Sequence, residues 1–275
     1  MARNFLQFVQ TSKAKLKRIS FIRKFAKYYR KLRFSKTRYP RLSNIDLIGN
    51  IARNNSKRAL LSYIVYPFLT ADDDPKKFTH INYWHSIEIV KILNSMGYIV
   101  DIIDYRDKRF VLTKKYDLFI GHGGINFESI HKMLPQNAIS IYFSTGSYWK
   151  FHNQQELNRV IELNKRKKAN LKPDRLINYS EEEALRLADG IIGVGNNEVK
   201  QTYWNFSNVI MVNTTALKSN NYPFTQKNIE NGRGNYLYYA GEGNIHKGLD
   251  LLLEAFHSRG EHLWVCSRID EEFEK

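Results

Sequence analysis

Short apolar runs alternate along this chain with longer stretches in which apolar residues recur every three or four positions, and that alternation predicts its elements. Residues 59–66 read as a first buried strand, ended by Pro67. Residues 80–96 read as a helix whose buried side carries Ile87, Ile89, Val90, Ile92 and Leu93, with Gly97 as its C-terminal stop. Residues 98–103, 116–120 and 138–143 read as further strands. A helix from Gln154 ends in Lys165, Arg166, Lys167 and Lys168; a shorter one spans 181–187. Residues 189–196 read as a strand and turn, and 209–213 as the next strand. Strands alternating with helices through short links predict a parallel sheet covered on both faces.

The pattern breaks at residues 216–235, rich in Asn, Lys, Ser, Gly and Pro, which read as a linker. It resumes with an aromatic strand at 236–240, a loop carrying Gly241, Gly243 and Gly248, and a helix marked by Leu249, Leu252, Leu253 and Phe256. Glycines let backbone amides approach a ligand, and the first turn of a helix leaves N–H groups unpaired. Together they make an anion site. Lys247 sharpens this, because a cation at the positive end of a helix is misplaced unless an anion lies between them. An ordinary solvated turn is the plain alternative. The expected division is 1–58 an arm, 59–215 a first domain, 216–235 a linker and 236–275 the start of a second domain.

Gly241-x-x-x-x-His246-Lys247-Gly248-Leu-Asp-Leu-Leu-Leu-Glu-Ala-Phe256 resembles the donor-binding segment of group 1 (family 4) glycosyltransferases. The resemblance implies an α/β fold of two Rossmann-like domains with parallel sheets. It implies retaining transfer of a sugar from a nucleotide-sugar to a glycan or lipid-linked acceptor, as in cell-surface polysaccharide synthesis. No metal and no cofactor beyond the nucleotide-sugar donor is implied. Lys247 and Gly248 inherit the grip on the donor diphosphate, with Gly241, Gly243 and His246 completing the loop. Many members place Arg shortly after the first glycine, where this chain has Glu242. The family's pair of glutamates lies further downstream than Lys275, so the second domain is expected to be incomplete, and a catalytically inactive remnant that binds a membrane or partner is the alternative.

In parallel sheets, ligands bind at the carboxyl ends of the strands. His122, in Gly-His-Gly-Gly, sits at such an end, with a structural turn residue as its plain reading. Thr145 and His152 fall in the segment 144–153, whose hydroxyls and aromatics suit a sugar surface; 78–82 has the same character. These three are the expected positioning residues for sugar hydroxyls. Asp72-Asp73-Asp74 reads as a solvated loop beside Pro75 rather than a metal motif.

Net charge changes the picture at one end. The formal balance is +16, and fourteen of the 43 basic residues fall within 1–44, before the first acid, Asp46. Within that arm Ile22, Phe25, Tyr29 and Leu32 form one helical stripe among cations, a pattern suited to an anionic membrane surface. No apolar run approaches the ~20 residues needed to span a bilayer. The protein is therefore expected to be cytoplasmic and peripheral at the inner face of the membrane, with no nucleic-acid partner, because the rest of the chain is nearly neutral. Lys165–Lys168 with Lys172 and Arg175 are expected to make a second contact to headgroups or to a phosphorylated acceptor. The single Cys266, in an apolar run, is expected at a core strand position.

Overall fold

The computed structural model describes residues 39–49, 51, 57–74, 77–214, 216 and 230–269. The chain divides between Pro40 and Arg41, and the elements described belong to the second unit. The amphipathic helix read around residues 22–32 and most of the linker lie outside the described residues.

The fold is α/β. Strands β1 (Arg41–Ile45), β2 (Lys57–Tyr63), β3 (Tyr98–Asp104), β4 (Leu118–Gly121), β5 (Ile139–Ser144), β6 (Gly190–Val194) and β7 (Val209–Val212) form one sheet in the order β1-β3-β2-β4-β5-β6-β7. All pairs are parallel except β1 with β3. The helices between them are α1 (Ile81–Ser95), α2 (Phe127–His131), α3 (Trp149–Lys167), α4 (Glu182–Leu187) and α5 (Asn197–Gln201). In β2, every residue from Ala59 to Tyr63 is buried, as expected of a central parallel strand covered on both faces. Neighbouring side chains point to opposite faces. Leu61 packs with Val90, Leu93 and Ile102 beneath α1, while Leu60 packs with Phe119, Phe127, Ile130 and Leu185 on the other face.

The sheet extends upstream of residue 59, into the span read as arm. β1 pairs with β3, its Leu42 and Ile45 pack against the core, and a register shift between them leaves Asn44 at φ 58°. Two apolar residues among cations gave no strand signal. Arg41, counted with the arm, belongs to the fold: its Nε donates to Asp107 Oδ2 at 2.8 Å and its guanidinium lies over Phe110.

Two other expectations are corrected. Ile92 was expected on the buried side of α1 but is 57% exposed, because the stripe Ile87–Val90–Leu93 already fills the face toward the sheet. α3 begins at Trp149 rather than Gln154, so Trp149 to Asn153 are helical rather than loop. Its start is fixed from a distance, the Tyr148 N–H donating to Thr202 Oγ1 at 2.9 Å.

A second, two-stranded parallel sheet joins β8 (Asn235–Tyr239) to β9 (His262–Cys266), with α6 (Leu249–Phe256) between them. One face meets α6, where Tyr236 contacts Phe256 edge-on. The other face is open: Leu237 is 64%, Tyr239 85% and Trp264 64% exposed. The strand at 236–240 was expected to be buried and Cys266 to lie in a core. Cys266 is exposed, because nothing among the described residues covers the face of the sheet that carries it.

Candidate functional site

The glycine loop between β8 and α6 is closed by its own backbone. The N–H of Lys247 donates to Gly243 O, that of Gly248 to Ile245 O and that of Leu249 to Asn244 O, each at 3.0 Å. Gly243 (φ 89°) and Gly248 (φ 75°) take left-handed conformations that a side chain would strain. Gly243 has a second reason to be glycine, since a Cβ there would lie 3.0 Å from Arg175 Cδ. Asn244, buried, donates to Ser267 Oγ at 2.9 Å, and that hydroxyl donates to Gly241 O, tying the loop to the end of β9. Lys247 folds back until its Nζ lies 3.7 Å from where a Cβ of Gly241 would sit. An arginine also reaches the loop, from after β9: Arg268 Nη1 donates to Glu242 Oε1 at 2.6 Å, an exposed pair of little energetic weight.

One face of α3 forms the opposite wall. His152, Glu156, Arg159 and Arg166 recur at helical spacing along it. His246 Nδ1 donates to Glu156 Oε2 at 2.8 Å, and the His246 ring centroid is 5.4 Å from that of His152. His152 Nε2 in turn donates to the Arg175 carbonyl at 2.8 Å. Glu156 is buried, and its second oxygen, Oε1, has no hydrogen-bond partner among the described residues. An unsatisfied carboxylate oxygen is expensive to bury, so a ligand hydroxyl or a water would lower the energy there. Further along, Asp250 of α6 accepts from Arg159 and, at 2.6 Å, from Arg166; Glu254 accepts from Arg166 and, at 2.9 Å, from Lys167. Burial would push the Asp250 carboxyl up, but the two guanidiniums outweigh it and hold the pKa below the ordinary carboxylate range. Arg166 and Lys167, two of the six cations read as a contact to headgroups or a phosphorylated acceptor, are partners of α6.

His122 stands elsewhere. β3 and β4 lie on either side of β2, so the order reverses there, and the crevice at the carboxyl ends of β2 and β4 is the sheet's switch point. His122 sits in it, its N–H donating to Ser62 O at 3.0 Å and its Nδ1 to Phe143 O at 2.8 Å. The rings of Tyr63 and Tyr105 meet it edge-on at 5.1 and 5.0 Å. Burial pushes the His122 pKa below its ordinary value, the bond to the Phe143 carbonyl opposing. The ring is thus neutral near pH 7, with Nε2 left as an acceptor. The turn after His122 is packed tightly: a Cβ on Gly124 would meet Ser180 O at 1.7 Å. That contact brings Glu181 in among Tyr142, Tyr179 and Tyr203, and burial pushes its carboxyl up to about 7.

No protein-family model, characterised protein or solved structure matches this chain.

Of the expected site residues, the structure brings together His152, His246, Lys247, Gly241, Gly243 and Gly248 about the groove between α3 and the glycine loop. His122 is held by the first sheet and Tyr105, and Thr145 lies half-buried in the turn after β5. Glu156, Arg159, Asn244, Ser267 and Arg268 were not singled out. Glu156 and Arg159 lie three apart on the α3 face that carries His152, the one signal that pointed to them. Among the described residues no group of three or more His, Cys, Asp or Glu side chains converges as a metal site, and Asp72 pairs with Lys77.

Proposed function

We propose that residues 241–248 grip the diphosphate of a nucleotide-sugar and that the chain transfers the sugar, with retention, to a hydroxyl of a glycan or lipid-linked acceptor. The observation that carries this reading is Lys247, whose ammonium folds over Gly241 at the positive end of α6 while the nearby carboxylate of Glu242 is held by Arg268. An anion between the ammonium and the helix end removes the conflict of charge. As the bond from the anomeric carbon to the diphosphate oxygen breaks, negative charge builds on the leaving group, and Lys247 with the loop amides meets it. Glu156 Oε1 and the His152–His246 pair supply acceptors and donors for sugar hydroxyls, with His122 and Thr145 at the sheet's carboxyl end.

Lys247→Ala is expected to weaken binding of UDP-glucose or GDP-mannose about tenfold or more in calorimetric titration, with unchanged thermal stability because Lys247 is exposed. Equal affinity in parent and variant would remove the donor-site assignment.

The open face of the second sheet favours a second reading, in which the chain binds a partner or membrane without turning over donor. The basic segment ahead of β1 is the proposed contact to anionic lipid at the inner face of the membrane, and among the described residues no helix is long and apolar enough to cross one. Deleting residues 1–38, which leaves β1 intact, is expected to abolish sedimentation with phosphatidylglycerol vesicles, and added salt to weaken it for the intact chain. Vesicle binding that survives the deletion would show that the arm is not the contact.

A further inference from the structure

The side of α3 next to the glycine-loop face borders a cleft of about 680 Å³, within the range of small-ligand sites. Phe151, Gln154 and Gln155 of α3 form one wall; Gln201, Thr202, Trp204 and Asn205, from the end of α5 onward, form the other. Trp204 is 80% exposed and Phe151 45%. A tryptophan so fully presented to water is an unused binding surface more than a packing element.

The cleft is built rather than incidental. Tyr203, the residue before Trp204, is only 1% exposed, and its hydroxyl donates to Gly146 O at 2.8 Å. That anchor turns Trp204 outward. Thr202 Oγ1 donates to Val199 O at 2.7 Å while accepting from Tyr148 N, so both walls are tied together. Rigid walls reduce the ordering cost of binding. Charge narrows the choice of ligand. Lys150, on the rim, is bound to Glu182 at 2.9 Å, and Glu198 adds a carboxylate, so among the described residues the cleft holds no uncommitted cation for a phosphate. Among the described residues, what remains is an indole platform, a phenyl ring and side-chain amides. Aromatic faces stack on the C–H faces of sugar rings, and amides both donate to and accept from ring hydroxyls.

We propose that this cleft is a saccharide-binding site in which an uncharged glycan stacks on Trp204, and that it seats the glycan acceptor. The second clause rests on the transferase reading; the first stands on the cleft itself. Because α3 carries Phe151 and Gln155 beside His152 and Glu156, one helix turn borders both the cleft and the groove at the glycine loop.

The test titrates the intact chain with maltotetraose, cellotetraose, chitotetraose and xylotetraose, read by saturation-transfer NMR and tryptophan fluorescence. At least one is expected to bind, about tenfold more weakly to Trp204→Ala, with Trp204→Phe intermediate and Lys247→Ala unchanged. Trp204 is exposed, so the variants are expected to keep the parent's melting temperature. Absence of binding by all four, or equal binding by parent and Trp204→Ala, overturns the site. Tetrasaccharide binding with neither UDP-glucose nor GDP-mannose bound would sink the transferase reading and spare this one; binding of either nucleotide-sugar with none of the tetrasaccharides would do the opposite.

Discussion

Asp250→Ala is expected to loosen α6 from α3 and to lower the urea midpoint of unfolding. Asp250 is 5% exposed and accepts from both Arg159 and Arg166, so its removal leaves two guanidiniums facing each other with Arg159 largely buried. Stripping one partner from a fully buried ion pair costs about 3–5 kcal/mol, and the partial exposure of Arg166 reduces this to about 2 kcal/mol. Replacing Arg159 by Met in the same chain should recover part of the loss, since the orphaned charge goes with it. The pH dependence has a definite sign. The Asp250 pKa is depressed in the fold, so its stabilisation is present above the ordinary carboxylate value of 3.8 and is lost as pH falls through the lower folded value. A midpoint unchanged by Asp250→Ala would show that the contact carries no stability.

Glu181→Gln is expected to act in the opposite direction. Burial among Tyr142, Tyr179 and Tyr203 raises this carboxyl from 4.5 to about 7, so the folded chain holds its proton more tightly than the unfolded one. Stability is full below pH 4.5, declines as pH rises toward 7 and stays reduced above it. A rise of this size corresponds to roughly 3–3.5 kcal/mol. Glutamine keeps the shape without the charge, so the variant should be the more stable by about that amount at pH 8 and equal at pH 4.5. Urea unfolding at the two pH values decides it. An unaltered slope between them would place the titration elsewhere.

The sheet was readable because buried parallel strands are short apolar runs whatever surrounds them, as in Leu60-Leu61 and Ile102-Ile103. The features missed depend on partners far away in sequence. Nothing near Tyr148 says that Thr202 will receive its N–H, so the first turn of α3 read as loop. The α5 start had a local sign, Asn196, whose side chain accepts from Val199 N at 3.1 Å, but five helical residues carry no period. Glu156, between Gln155 and Leu157, looks solvated until His246, ninety residues away, donates to it. The reverse error arose at Leu237, Tyr239 and Trp264, where apolar character promised burial and the two strands leave it in water. In the groove, the glycines and Lys247 were legible from spacing, while the wall that faces them was not, because its charges read as an exposed helix surface.

α3 also constrains how this protein can change. Each residue of a helix advances about 1.5 Å and turns about 100°. His152, Glu156, Arg159 and Arg166 hold the glycine loop and α6, while Phe151 and Gln155 line the neighbouring cleft. One residue inserted after Asn158 would rotate Arg159 and Arg166 away from Asp250 while leaving His152 and Glu156 in place. The two halves of the grip would fall out of phase. Such a helix tolerates substitution at single positions far better than any change in length, and drift in this protein should accumulate in its loops, with the count of residues between His152 and Arg166 held constant.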